Sequence, residues 1–341
     1  MSFYLVTGGT GFLGSALVRR LVADGHRVRV FDNNSRGRAA RLADLDGRVE
    51  YVEGDIRDAR AVAAAVAGVD SVCHLAFING TEFFYSQPDL VLDVAVKGMA
   101  NVLDACRAAG VGELILTSSS EVYQSPPRIP TDETAPLSIP DPLNPRYSYA
   151  GGKIINELMA INHGRRHLKR VVIVRPHNVY GPDMGWEHVI PQLVVRMKRL
   201  AETEGDPIPF PIQGTGAQTR SFVYIDDFID GLALAMQRGE HLGIYHVGTM
   251  EEIAIGDVSQ MIGEFFGRRI RVVPSAAALG GTDRRCPDIA KIAALGYRPK
   301  LSFREGLSLA ARWYADHAHL APAEMNGMNV MNGLNVRKVT L

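Results

Sequence analysis

The stretch Val6–Gly14, VTGGTGFLG, decides the fold of this chain. It directly follows the apolar run Phe3–Thr7 and opens a helical pattern, and its glycines Gly8, Gly11 and Gly14 stand three apart. The first glycine permits a tight turn, the second lets the backbone approach a pyrophosphate, and the third lets helix and strand pack closely. We therefore predict a phosphate-binding loop at a helix N-terminus, where free N–H groups and the helix dipole favour an anion.

The second apolar run, 27–31, ends in Asp32, which stands 18 positions after Gly14. A carboxylate at this place can accept both hydroxyls of an adenosine ribose and would repel a 2′-phosphate. The sequence therefore predicts NAD rather than NADP as the cofactor. Arg36 and Arg38 follow closely and weaken this preference a little.

The first half of the chain alternates short apolar runs with helical stretches. The strand-like runs are 3–7, 27–31, 49–53, 71–76, 113–119 and 170–176, and the helical ones are 13–24, 58–66, 90–109 and 151–163. Such alternation of near-continuous apolar strands with helices is typical of an α/β protein with a doubly wound parallel sheet. After the third run, Asp55 either meets the adenine amino group or caps the next helix, and the local pattern leaves both open.

After Pro176 the regular alternation stops. The stretch 204–216 is rich in Pro and Gly and predicts a loop or a short edge strand. We predict a smaller C-terminal α/β substrate domain over 177–318, interleaved with a first domain that comprises 1–176 and also receives about 220–247. The remainder, 319–341, is biased towards Met, Asn and Gly, and we expect it to be a flexible tail.

Composition excludes several classes of function. Lys+Arg and Asp+Glu both number 37, and this zero formal charge argues against nucleic acid or an anionic membrane as the main partner. The three cysteines are widely spaced and form no disulfide or metal pattern, so we expect a reducing compartment and no metal. The start MSFYLVTGG does not resemble a signal peptide, and no apolar run reaches the length of a membrane span. We therefore expect a cytoplasmic protein.

With these motifs the sequence resembles the extended short-chain dehydrogenase/reductase family of nucleotide-sugar epimerases, dehydratases and decarboxylases. The resemblance runs from about Phe3 to His317 and rests on TGGTGFLG, HLA (74–76), SSSEVY (118–123), YAGGK (149–153), RPHNVYGP (175–182), GTGAQTRSFVYIDD (214–227) and RRCPDI (284–289). It implies an N-terminal Rossmann domain for the cofactor, a C-terminal domain for a nucleotide-diphosphate sugar, and a homodimer formed through helices 90–109 and 151–163. It further implies that NAD contacts Gly8, Gly11, Phe12, Leu13, Gly14, Asp32, Asn33, Asp55, Ile56, Leu75, Ala76, Tyr149 and Lys153.

Tyr149 and Lys153 stand four apart, so on a helix they lie on one face, one turn apart. A tyrosine is too weak an acid to serve as a base at neutral pH unless a nearby cation stabilises its phenolate. We predict that Tyr149 takes the proton from a sugar hydroxyl and that Lys153 lowers the pKa of the tyrosine and holds the nicotinamide ribose. Ser119 lies where the family keeps a catalytic Ser or Thr.

Glu121 also lies at this strand end. Once C4 of a sugar is a ketone, the C5 hydrogen is acidic, and a carboxylate beside C5 can remove it. The resemblance places such a Glu in 4,6-dehydratases and UDP-glucuronate decarboxylases, whereas a solvated residue at a strand end is the alternative. Arg285 matches either the arginine that holds a sugar carboxylate in decarboxylases or one that binds the diphosphate. Asn178 and Arg220 match positions that contact the substrate's phosphate or sugar.

We therefore predict an NAD-dependent enzyme that transiently oxidises C4 of a nucleotide-hexose, as a 4-epimerase or a 4,6-dehydratase. A decarboxylase of the UDP-glucuronate type is the alternative. A non-catalytic NAD-binding sensor is opposed by the intact set of Ser119, Tyr149 and Lys153, and an NADPH-consuming reductase is opposed by Asp32.

Overall fold

The computed structural model describes residues 1–276 and 280–322 of the chain. Among these residues the strands are β1 Phe3–Thr7, β2 Arg27–Asp32, β3 Glu50–Glu53, β4 Ser71–His74, β5 Glu113–Thr117, β6 Arg170–Pro176, β7 Val179–Tyr180, β8 Ile208–Gln213, β9 Thr219–Ser221, β10 Val223–Tyr224, β11 Gly243–Val247, β12 Glu252–Ala254, β13 Ile270–Ser275 and β14 Arg284–Arg285. The α-helices are α1 Phe12–Ala23, α2 Ala59–Val66, α3 Thr81–Ser86, α4 Pro88–Ala109, α5 Tyr147–His167, α6 Val189–Thr203, α7 Ile225–Arg238, α8 Ile255–Phe265, α9 Ala290–Ala294 and α10 Phe303–Asp316.

The chain divides into two compact units. The first comprises 1–179, 223–250 and 287–300, and the second comprises 180–222, 251–286 and the described residues from 301 to 322. The sequence predicts that 287–300 belongs to the C-terminal domain. In the structure this segment belongs to the first unit, where Pro287 bridges to Thr131 and the Asp288 N–H donates to the Thr131 carbonyl over 2.7 Å.

A seven-stranded sheet forms the centre of the first unit. Its strand order is β11-β6-β5-β4-β1-β2-β3, and every neighbouring pair is parallel. This confirms the predicted doubly wound parallel sheet. The strand order reverses between β1 and β4, and in such sheets ligands bind beyond the carboxyl ends of the strands at this reversal. The loop after β1 is the one that carries the glycine motif.

The central strands are apolar along their whole length because both faces of the sheet are covered. In β5 and β6, residues Leu114, Ile115, Val171 and Val172 are fully buried. On one face of the sheet, Leu114 and Val171 belong to a core that also contains residues of α4 and α5, two helices that pack along each other. Close contact between these helices requires a small residue, because a Cβ on Gly152 would lie 2.8 Å from that of Ala95.

The two helices begin earlier than the sequence pattern suggested. Helix α4 begins at Pro88, which is tolerated there because the first turn of a helix needs no N–H donor at that position, and it ends before Gly110 with φ of 68°. Helix α5 begins at Tyr147 rather than at Gly151. Both Tyr149 and Lys153 therefore lie in the first two turns of α5.

The second unit contains two small sheets. Strands β8 and β13 pair in parallel, and β9 lies between β12 and β14. The Pro-rich stretch thus forms a strand of a two-stranded sheet. Helix α10 begins with a capping box in which Ser302 and Glu305 satisfy each other's backbone N–H groups. Of the predicted flexible tail 319–341, residues from 323 onward lie outside the described part, and Leu320 ends a short 3-10 helix.

Within residues 1–276 and 280–322, no helix is both long enough and apolar enough to cross a bilayer.

Candidate active site

The glycine loop connects β1 to α1 in the predicted way. Gly8 has φ of +72°, its N–H donates to Phe31 O over 2.9 Å, and a Cβ there would lie 2.7 Å from Ala76 N. A Cβ on Gly14 would lie 2.0 Å from Gly8 O. Both positions therefore require glycine, the first for its backbone conformation and both for close backbone packing. Gly11 is the N-cap of α1, and no side chain caps this helix.

Asp32 ends β2 beside the glycine loop and is buried. Its Oδ2 accepts from Thr10 N over 3.0 Å, and its Oδ1 accepts from Asn34 N over 2.9 Å. These two bonds fix the carboxylate against the loop, as a ribose-binding acid requires. The neighbouring Asn33 is exposed, and its amide donates to Asp55 Oδ2 over 3.0 Å.

Asp55 does not cap α2. That role belongs to Asp58, whose side chain accepts from Arg60 N and Ala61 N. The Asp55 carboxylate instead pairs with Arg57 at 2.7 Å, and hydrogen bonds from Arg57 lower the pKa of Asp55 to about 2. Of the two readings of Asp55, the helix cap is therefore wrong, and the contact with adenine stays a prediction.

Leu75 and Ala76 continue the chain from β4 across the strand reversal. Their N–H groups donate to the carbonyl and the hydroxyl of Thr7, over 3.1 and 3.3 Å. Ile56 is buried and would collide with any side chain at Gly98 of α4, so its side chain belongs to the core. Contact of Ile56 with a cofactor stays a prediction.

These features fit a dinucleotide. The uncapped first turn of α1, with Phe12 and Leu13, leaves backbone N–H groups for a pyrophosphate, and no Cβ obstructs the loop at Gly8 or Gly14. Asp32 would supply the acceptor for the adenosine ribose. The residues that would hold NAD are thus the glycine loop, Asp32 and the segment after β4.

Tyr149 is buried in an aromatic setting on α5. Its ring stacks on Phe84 at 4.7 Å between centroids and meets Phe77 edge to face at 5.1 Å. Lys153 is 3% exposed, its Nζ donates to Thr117 O over 2.8 Å, and the same atom lies 3.9 Å from the Phe77 ring centroid. These contacts lock the lysine at the carboxyl end of β5, beside the ring of Tyr149.

Burial lowers the pKa of Lys153 to about 7, and the carboxylate of Glu157 acts in the opposite direction. Desolvation disfavours the ammonium form, whereas an anion one helical turn away favours it. At neutral pH, Lys153 therefore populates both its ammonium form and its neutral amine form. A side chain so tuned, next to a buried tyrosine, is a sign of acid–base chemistry.

The turn Ser120–Val122 follows β5 and packs against α5. Ser119 precedes it, and its Oγ accepts from Glu121 N over 3.1 Å. The Glu121 side chain is 20% exposed, with Oε1 at 3.9 Å from the Arg146 guanidinium and Oε2 at 3.3 Å from the Gln124 amide nitrogen. The structure thus brings Ser119 and Glu121 to the turn that packs against the helix of Tyr149 and Lys153.

A buried polar network lies behind this turn. Glu157 and Arg175 form a bidentate ion pair at 2.8 and 2.6 Å, with both side chains 2% exposed. Ser118 donates its hydroxyl to Glu157, and Arg175 donates to the Tyr123 hydroxyl. The network thereby connects α5 with the ends of β5 and β6.

The network ends at His246 on β11. Its Nδ1 lies 3.1 Å from the Asp288 carbonyl, which can only accept, so Nδ1 carries the proton. Its Nε2 accepts from the Tyr123 hydroxyl over 2.6 Å. Burial lowers the pKa of His246 to about 4, so this histidine is neutral at pH 7.

Two predicted substrate residues are neighbours in the second unit. Arg220 on β9 and Arg285 on β14 are partners in a parallel register. The preceding pair, Thr219 and Arg284, both bind Glu252, and side chains alternate between the two faces of a strand. Arg220 and Arg285 therefore share the opposite face. Arg285 is 8% exposed and donates to the Thr282 hydroxyl over 3.0 Å.

Asn178 lies in the first unit directly after β6. It has φ of 42°, in the left-handed region that asparagine tolerates better than most residues. Its backbone carbonyl accepts from Val223 N over 3.3 Å. Its role toward a substrate stays a prediction.

The sequence analysis did not identify two side chains beside the candidate site, Glu157 on α5 and Gln124 after the Ser120–Val122 turn. Glu157 follows Lys153 by four residues, the same spacing that relates Lys153 to Tyr149, so this signal was present in the sequence. Gln124 carried no such signal, because its left-handed backbone conformation is visible only in three dimensions.

Comparison with known proteins agrees with this geometry. A model of the NAD dependent epimerase/dehydratase family matches residues 4–248. The dTDP-glucose 4,6-dehydratase of Streptomyces antibioticus is 31% identical over 322 residues, which cover 92% of this chain and 92% of that protein. UDP-glucuronic acid decarboxylase 1 of Arabidopsis thaliana is 31% identical over 308 residues, which cover 89% of this chain and 67% of that protein.

A solved structure supports the same assignment. The UDP-glucose 4-epimerase of Thermus thermophilus, in complex with NAD, is 29% identical with a TM-score of 0.80. The match covers 92% of this chain and 98% of that one. Because the family model spans more than half of the sequence and the catalytic and glycine motifs are intact, the chain is an enzyme of the NAD-dependent epimerase/dehydratase family, with NAD as its cofactor.

Proposed function

We propose that the protein acts on a nucleotide-diphosphate hexose, oxidises C4 transiently and returns the hydride within the same catalytic cycle. The observation that carries this proposal is the pair of Tyr149 and Lys153 on α5, both buried and beside the end of β5. NAD bound at the glycine loop supplies the hydride acceptor. The relatives act, by their names, on dTDP-glucose, UDP-glucuronic acid and UDP-glucose.

In this proposal Tyr149 removes the proton from the C4 hydroxyl. Its ring is held by Phe77 and Phe84, so the hydroxyl has a fixed position relative to α5. Lys153 in its ammonium form stabilises the phenolate. Ser119, at the end of the same strand, binds the reacting oxygen.

The presence of Glu121 at the end of β5 supports a reaction in which the C5–H bond is also broken, as in a 4,6-dehydratase. A carboxylate beside C5 of a 4-keto sugar can take this proton, after which the electron pair forms a C5–C6 double bond and hydroxide leaves C6, taking a proton from solvent to become water. The Gln124 amide and the Arg146 guanidinium face the two oxygens of this carboxylate, at 3.3 and 3.9 Å. We therefore favour a 4,6-dehydratase over a 4-epimerase.

We also propose that Arg220 and Arg285 bind the diphosphate of the substrate. Their adjacent positions on β9 and β14 place two guanidinium groups on one face. Guanidinium groups bind phosphate oxygens with two parallel hydrogen bonds, so an adjacent pair suits a diphosphate. This favours the diphosphate role of Arg285 over a role in holding a sugar carboxylate.

A homodimer through α4 and α5 is part of the proposal. Leu92 and Val96 on α4 are each 37% exposed, and Leu158 on α5 is 54% exposed. Two helices that pack together and also present apolar side chains outward can pair with the same helices of a second copy. We further propose a cytoplasmic location, because Cys73, Cys106 and Cys286 are buried free thiols, as a reducing compartment permits.

The test is incubation of the purified protein with dTDP-, UDP-, GDP- and CDP-hexoses and with UDP-glucuronate, followed by mass spectrometry and sugar NMR. Loss of water from one hexose supports the 4,6-dehydratase. Loss of carbon dioxide from UDP-glucuronate identifies the decarboxylase instead, and an isomer of unchanged mass identifies an epimerase. Absence of any conversion across the panel contradicts the proposal.

A further inference from the structure

Gln124 adopts a backbone conformation that a glutamine rarely adopts. Its φ is +52°, and its side chain is 3% exposed. Residues held in the left-handed region without being glycine persist where the surrounding structure requires their side chain, and such outliers cluster at functional sites. The conformation therefore raises the question of what the glutamine amide does.

The amide reaches back to Glu121. Its Nε2 donates to the Glu121 carbonyl over 2.6 Å and to the Glu121 carboxylate Oε2 over 3.3 Å. The Gln124 side chain thus lies back over the Ser120–Val122 turn. One amide group thus fixes both the backbone and the carboxylate of the same residue.

The other carboxylate oxygen of Glu121 faces a cation. Oε1 lies 3.9 Å from the Arg146 guanidinium, and the Arg146 side chain is 12% exposed. In addition, the backbone N–H of Glu121 donates to Ser119 Oγ over 3.1 Å. Glu121 is thus contacted at its backbone, at Oε1 and at Oε2.

We propose that Gln124 is a positioning residue that holds the Glu121 carboxylate in place to take the C5 proton of the 4-keto sugar. This inference rests on the proposed function, because it assigns Gln124 a role only if C5 chemistry occurs. Gln124 itself touches neither the substrate nor the cofactor in this role and acts through Glu121 alone. Its effect should therefore vanish when Glu121 can no longer accept a proton.

The test is a double-mutant cycle between Gln124→Met and Glu121→Gln. Methionine keeps the approximate volume of glutamine and removes the amide donor. The rate of deuterium incorporation at C5 is measured in D₂O with the hexose that the enzyme converts, together with kcat, KM and the thermal midpoint. Gln237→Met, an exposed glutamine on α7, is the matched control and should behave as the wild type.

We expect Gln124→Met to slow C5 incorporation and kcat about 10- to 100-fold, less than the roughly 100- to 10,000-fold contribution of a general base itself, with KM changed by less than about threefold. In the Glu121→Gln background the same substitution should have no further effect, because two groups that act as one unit are not additive. Wild-type rates in Gln124→Met, or an equal slowing in both backgrounds, would overturn the inference.

A second variant distinguishes the loss of positioning from a loss of folding. Asparagine tolerates the left-handed conformation but is one methylene shorter, so Gln124→Asn should reproduce the slowing with an unchanged thermal midpoint. Slowing that appears only in variants with a lowered midpoint would overturn the positioning role. If the wild type converts a substrate without deuterium at C5, the dehydratase proposal fails together with this inference. If the wild type does incorporate deuterium and the cycle is additive, only the inference fails.

Discussion

Lys153 and His246 illustrate how burial sets the protonation state of single residues in this molecule. Burial lowers the pKa of both side chains, to about 7 for Lys153 and to about 4 for His246. The carboxylate of Glu157, one helical turn away, favours the ammonium form of Lys153 and so limits this lowering of its pKa. His246 receives a hydrogen bond from Tyr123 and donates one to Asp288 O, and both bonds suit the neutral ring.

His246 makes the free energy of unfolding depend on pH. The unfolded chain takes up a proton on this histidine near pH 6.5, whereas the folded chain does so only near pH 4. As the pH falls from about 6.5 to about 4, the unfolded state therefore gains a proton that the folded state lacks, and stability is lost, by about 3 kcal/mol.

We expect His246→Gln, whose amide oxygen can still accept from Tyr123, to lose less stability over this pH range than the wild type. Urea unfolding at several pH values measures this difference. The exposed His167, replaced in His167→Gln, serves as the control and should follow the wild type. If the free energy of unfolding changes with pH equally in the wild type and in His246→Gln, the pH dependence does not arise from His246.

The sequence identified those site residues whose role depends on spacing or on position after a strand. The interval between Tyr149 and Lys153 shows a shared helical face, and the three glycines show the loop. It did not identify Gln124, because φ is not encoded in any local pattern around that residue. It also left Asp55 ambiguous, since only the structure shows that Asp58 caps α2.

Among the elements, α5 contributes most to the candidate site. It carries Tyr149, Lys153 and Glu157 on successive turns, and it packs against α4, the Ser120–Val122 turn and β6. The pair of Glu157 with Arg175 attaches this helix to β6 in a buried setting. Removal of one member of such a pair leaves an uncompensated buried charge, which is strongly destabilising.

We expect Glu157→Gln to lower the free energy of unfolding by about 3 kcal/mol. In combination with Arg175→Met, the loss should be smaller than the sum of the two single losses, by about 2 kcal/mol, because the two residues share one interaction. Urea unfolding of the four proteins of the cycle gives this coupling energy. Additive losses would show that the pair does not hold α5 in place.

Element boundaries were harder to predict than element types. The sequence pattern begins α5 at Gly151, whereas the structure begins it at Tyr147, and Tyr147 and Ser148 are weak helix formers. The observed start at Tyr147 is supported by tertiary packing of Tyr149 and Lys153 rather than by local propensity. The parallel sheet, in contrast, was predictable because its strands are continuous apolar runs.

For the whole molecule, the exposed apolar side chains of α4 and α5 predict a dimer. We expect the wild type to have twice the chain mass in solution and Leu158→Glu to be a monomer, because each copy would then bury an unpaired carboxylate in the interface. Multi-angle light scattering after size exclusion measures both masses. Leu309→Glu, at an exposed leucine on α10, is the control and should remain dimeric. A monomeric wild type would contradict the proposal.

The central claim is transient oxidation at C4 with no net redox change, and a substrate labelled with deuterium at C4 tests it most directly. The enzyme is incubated with the labelled nucleotide-hexose without added NAD, and the position of the label in the product is determined by NMR. We expect the product to retain the deuterium, at C6 for a dehydratase or at C4 for an epimerase, and Tyr149→Phe to form product at least about 100-fold more slowly while remaining folded. Loss of the label to solvent, a requirement for stoichiometric added NAD or NADPH, or an unimpaired Tyr149→Phe would contradict the account.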